Sequence, residues 1–141
     1  MQPWIIYAIL SAFFASLVAI FGKIGIQGVN SNLAVAVRTV VIVGFAWLIV
    51  SYEGVASQLK DWSRQTWTFI ILSAIATGLS WLFYYRALQL GQASKVAPID
   101  KLSVALTVIL ALVFLGEKPT YGNILGGALV AAGVLVAALV K

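Results

Sequence analysis

The sequence predicts an all-α integral membrane protein of five transmembrane helices, and three observations carry that prediction. Of its 141 residues, 62% are hydrophobic and only 9% charged, too few charges to cover a soluble domain of that size. The apolar residues gather into five runs, each near the 20 or so residues that cross a hydrocarbon core about 30 Å thick. These runs show no polar and apolar alternation, which removes the strands of a membrane barrel and leaves helices.

Taken in order, the first span covers residues 4–26 and is interrupted only by Lys23 near its end. It is far longer than the apolar region of a signal peptide and no basic residue precedes it, so a retained helix is expected. The second span, 33–50, carries Arg38 inside its first turns. The third is 67–90, the fourth 94–115 and the fifth 121–140. Turn-forming or polar stretches separate them: "GVNSN", "YEGVASQLKDWSRQ", "GQAS" and "GEKPT". Trp4, Tyr52, Trp62, Trp67 and Tyr121 fall near span ends, as an interfacial aromatic belt requires. Only the second connection is long, so the chain is expected to form a single domain over residues 1–141.

The chain contains no Cys and no His, which excludes disulfides, soft-metal sites, haem ligation and Cys or His nucleophiles. No acid pair or activated nucleophile is visible either. The expectation is therefore a protein that is not an enzyme and holds no metal or cofactor. The formal charge is +5, but the basic residues are scattered singly through loops and helix ends, so no nucleic-acid partner is expected. With a cytoplasmic N-terminus, Lys60, Arg64 and Lys118 lie inside, while Arg86, Lys95 and Lys141 lie outside, with Lys23 near the outer end. That distribution sets almost no orientation. A chain without bias can insert both ways, and an odd span count puts the two insertions in an inverted relationship, the arrangement many secondary transporters use for alternating access. The alternative is that longer-range signals choose one orientation.

The fourth and fifth spans, "ASKVAPIDKLSVALTVILALVFLGEKPTYGNILGGALVAAGVLVA", resemble the closing half of an EamA domain of the drug/metabolite transporter superfamily. There an apolar fourth helix ends in Leu-Gly-Glu and a glycine-rich fifth follows. Lys23 and Arg38 match the pattern upstream, and the likeness covers essentially the whole chain. The resemblance implies one five-helix half-transporter unit in the inner (plasma) membrane, working among lipids as a dimer, most naturally an antiparallel homodimer. It implies a small organic solute, metabolite or drug-like, with export the expected direction. The first span departs from the small multidrug resistance proteins of the same superfamily: it holds Ser11 and Ser16 but no carboxylate, which puts proton coupling by that route in doubt. The rival reading is a structural or accessory subunit packed against a larger membrane assembly.

Candidate site residues follow from position and spacing. If the fourth helix starts at Pro98, Asp100 caps its first turn at the surface. If it starts at Ser94, Pro98 kinks it and Asp100 lies roughly 9 Å along the axis. Span length and the family likeness favour the second start. A buried Asp100 needs a partner, with Lys101, Lys95, Lys23 and Arg38 as candidates. Asp100, Ser103 and Thr107 share a face suited to a solute passage, or the hydroxyls simply bond back to their own helix. Ser73, Thr77, Ser80 and Tyr84 form a second polar stripe, flanked by Trp81 and Tyr85. It would suit a small organic or cationic solute, or serve helix-helix hydrogen bonding. Arg86 is read as snorkelling to the interface. Lys23 and Arg38 either bind an anionic group or anchor helix ends. Glu117 and Lys118 are read as structural in a tight turn. Gly122 and Gly126, extended by Gly127 and Gly133, form a small-residue surface expected to pack a dimer seam.

Overall fold

The computed structural model describes residues 2–139. Val140, the last residue of the expected fifth span, and Lys141, which entered the charge count, lie outside the described residues. The five expected spans are all present as helices long and apolar enough to cross a membrane. The first is α1, Pro3–Gly25. Gly28, at φ 73°, turns the chain into α2, Ser31–Glu53. The Asn30 side chain caps that helix, accepting from the backbone N–H groups of Asn32 and Leu33 at 2.9 and 3.2 Å. Gly54 ends it in the left-handed conformation.

The long connection is not featureless: it contains a 3-10 turn, Ala56–Asp61. Beyond it Ser63 accepts from the Thr66 N–H at 3.1 Å, which starts α3, Arg64–Leu90. The caps at Asn30 and Ser63 set the helix starts two or three residues earlier than apolar content alone suggests. Trp62 and Trp67 meet with ring centroids 5.2 Å apart, so the connection is pinned by the interfacial aromatics.

The fourth span is broken. It runs as α4, Ala93–Asp100, with Pro98 inside it, then a single turn residue, Lys101, then α5, Leu102–Leu110. Pro98 lacks an N–H and its ring crowds the carbonyl of residue 94, so the regular ladder fails there. The Lys101 N–H reaches back only three residues, to Pro98 at 3.0 Å. The span closes in a π-turn, Ala111–Leu115, capped by Gly116 at φ 64°. Gly116 in the left-handed region lets the Glu117 N–H return to the Ala111 carbonyl at 3.3 Å, which gives the Leu-Gly-Glu sequence a backbone reason. The Thr120 hydroxyl accepts from the Asn123 N–H at 3.3 Å and starts α6, Tyr121–Leu139.

The chain divides into two compact units, Phe21–Gln89 and the remaining described residues, with the boundary passing through α1. In the first unit Ile26, Val35 and Tyr85 are buried together, with Ala34, Trp81, Leu82 and Tyr84 against them. Gly22 makes room for that cluster, since a Cβ there would stand 3.1 Å from the Tyr85 hydroxyl oxygen. In the second unit α5 and α6 pack closely: a Cβ on Gly127 would touch the Ala105 backbone at 3.8 Å. Most apolar side chains elsewhere on the helices are exposed, as expected where the solvent is lipid rather than water.

Candidate functional site

Arg38 lies seven residues into α2, roughly 10 Å along the helix axis from Ser31. A guanidinium at that depth is costly unless something offsets its lost hydration. In the structure its Cζ stands 4.3 Å from the Trp81 ring centroid and 5.0 Å from that of Tyr85. Both rings come from α3, four residues apart and hence on one face, and their negative π-surfaces attract the cation. Tyr85 is buried, while Trp81, Tyr84 and Arg38 are half-buried. Tyr84 meets Tyr85 edge-on at 6.3 Å. The Arg38 Nη1 is buried and has no hydrogen-bond partner among the described residues. An unpaired buried donor is rare and costly enough to call for an explanation.

The surroundings of this cluster are stapled. Lys23 Nζ donates to the Leu88 carbonyl at 2.6 Å, one of the C-terminal carbonyls of α3 that lack a helical donor. Gln89 Nε2 donates to the Val29 carbonyl at 2.7 Å and accepts from Arg86 Nη1 at 2.7 Å. Lys23 thus joins the last turn of α1 to the end of α3. Arg86 is exposed and secures Gln89.

In the other unit, Asp100 and Lys101 form an ion pair at 3.2 Å, with side chains 35% and 54% exposed. Successive residues on an unbroken helix point apart. They meet here because the helix breaks between them. Asp100 is therefore seven residues from the start of α4 at Ala93, roughly 10 Å along it, beside a carbonyl that Ser103 Oγ satisfies at 2.8 Å. Thr107 Oγ1 donates to the Ser103 carbonyl at 2.8 Å, so both hydroxyls of that face bond to backbone carbonyls of the same span.

On the α3 stripe, Thr77 Oγ1 donates to the Ser73 carbonyl at 2.9 Å, and Ser73, Thr77 and Ser80 are exposed. The structure brings Arg38 and Trp81 together, and separately Asp100 and Lys101. In α6, Gly127 is buried against α5, while a Cβ on Gly126 or Gly133 would meet nothing within 4 Å and one on Gly122 only the Thr120 hydroxyl at 3.7 Å. Sequence reasoning treated Tyr85 as a flank and passed over Gly22. The available signal was depth: Arg38 and Tyr85 stand at similar distances from the same ends of antiparallel helices.

The described residues thus hold a cation on aromatic faces in one unit and an ion pair at a helix break in the other. The chain is 46% identical over 138 residues to an uncharacterized transporter from the cobO 3' region of a Sinorhizobium species, covering 98% of both chains. It is 28% identical over 136 residues to an uncharacterized protein of Methanocaldococcus jannaschii, covering 96% of both. No solved structure matches it significantly. The EamA-like transporter family model matches residues 2–139, and the chain belongs to that family, a multi-pass membrane protein of the transporter class.

Proposed function

We propose that the chain is one half of a transporter that moves a small organic solute by alternating access, assembled as an inverted homodimer in the inner membrane and working outward. The observation that carries this reading is the match to a transporter family over a unit with an odd number of spans. Five spans reverse the chain's exit side relative to its entry, so two copies build an inverted pair only if inserted in opposite directions. The flat distribution of Lys and Arg permits that. The two relatives are matched over nearly their whole length, so each also has the size of one unit. The broken α4–α5 span supports the mechanism, because discontinuous helices place free backbone groups and charge where a solute can meet them.

The open face of Gly122, Gly126 and Gly133 is the proposed seam between copies, and the accessory-subunit reading would use the same face against a different protein. The two readings separate on flux. Purified chain alone, reconstituted in proteoliposomes, is expected to move at least one of a set of radiolabelled amino acids, organic acids and lipophilic cations faster than empty vesicles do. Flux equal to that of empty vesicles for every compound would remove self-sufficient transport and leave the accessory role.

A further inference from the structure

We propose that Arg38 is the anion subsite of this protein: its guanidinium binds a carboxylate or phosphate group, held in place from behind by Trp81 and Tyr85. The inference rests on the transporter reading above and adds the class of ligand. Four observations support it. The guanidinium lies inside a span, where an unneutralised charge is expensive. Its unit contains two carboxylates, Glu53 and Asp61, and Glu53 is fifteen residues further along α2, about 22 Å away along the axis. Neither carboxylate forms an ion pair with Arg38 among the described residues. The Nη1 atom is buried without an acceptor among the described residues, so the site is short of one hydrogen-bond acceptor. Finally, the two rings stand 4.3 and 5.0 Å from the guanidinium carbon and supply no acceptor oxygen, the group that carboxylates and phosphates offer to an arginine in fork geometry.

The same contacts argue against a cationic ligand at this position, because the Trp81 face that would attract one already holds the chain's own cation. Arg38 is half-buried rather than sealed, so part of the residue is open to its surroundings. Gly22 takes part by permitting the Tyr85 position that supports the guanidinium.

An anionic oxygen could arrive on a free solute or on a lipid headgroup, and one experiment separates them. The protein contains only Arg38, Arg64 and Arg86, so selective ¹⁵N-arginine labelling gives few guanidinium signals, with Arg38→Lys assigning the relevant one. The full chain in maltoside micelles, which carry no anionic oxygen, is titrated with acetate and inorganic phosphate, with acetamide as the neutral control. A saturable shift of the Arg38 signal with either anion, absent with acetamide, is the expected result. Arg38→Lys keeps the charge but loses the fork, and radiolabelled phosphate is expected to bind it about tenfold more weakly. No saturable shift with either anion, or an equal shift with acetamide, overturns the proposal. The titration is repeated in nanodiscs containing phosphatidylglycerol. An unchanged response assigns the site to free solutes, and an Arg38 signal already shifted and insensitive to added anion assigns it to the headgroup. Because binding is read without flux, failure here leaves the transport test standing, and failure of flux leaves this result intact.

Discussion

Asp100 and Lys101 form an ion pair between successive residues, which on a regular helix point apart. Pro98 removes a backbone donor, the chain turns at Lys101, and the two side chains meet at 3.2 Å. Pairing lowers the cost of holding either charge at depth, since each supplies part of what water would have supplied. Asp100→Asn therefore leaves Lys101 unbalanced while preserving shape. It is expected to lower transport at least severalfold in the proteoliposome assay without changing the elution of the assembled protein. Wild-type flux would place Asp100 in a surface role, as a cap for the end of the span. Arg38 is the counterpart in the other unit, but its balance comes from rings rather than from a carboxylate. Lys101 has a carboxylate partner while the Arg38 Nη1 has no acceptor among the described residues, which is why the anion subsite is assigned to Arg38.

Helices were the legible scale. Five runs of the right length fix five spans because lipid leaves the backbone few alternatives, and Pro98 announces the break in the fourth. The ends were less legible: Asn30 and Ser63 extend α2 and α3 beyond their apolar runs through capping bonds. The π-turn at Ala111–Leu115 has no simple sequence mark except the Gly116 that follows it. The contact of Arg38 with the Trp81 and Tyr85 face was legible only as a shared depth, because periodicity says which residues share a face and not which helix that face meets. Hydroxyls at this scale follow the blander of the two expectations: Thr107 and Thr77 bond to carbonyls of their own helices, and Ser103 bonds across the break to the Asp100 carbonyl.

The glycines of α6 divide by face. Gly127→Leu is expected to damage the fold itself, by about 1–3 kcal/mol of overpacking against α5, seen as a lower thermal midpoint. Gly126→Leu meets open space within the chain, so it is expected to leave the midpoint nearly unchanged and reduce the cross-linked dimer. Equal loss of dimer in both without a stability difference would contradict this division of the helix.

For the whole molecule, the central claim is that one chain inserts in two directions and thereby supplies both halves of a transporter. The absence of native cysteine makes this directly measurable. Gln58, exposed in the 3-10 turn between α2 and α3, is replaced by Cys and probed in intact cells with a membrane-impermeant thiol reagent, before and after permeabilisation. Partial labelling from outside that rises on permeabilisation is the expected result, because both orientations would coexist. Complete labelling from one side alone would contradict it, and would mean that the chain forms a parallel assembly or depends on a different partner for the opposite half.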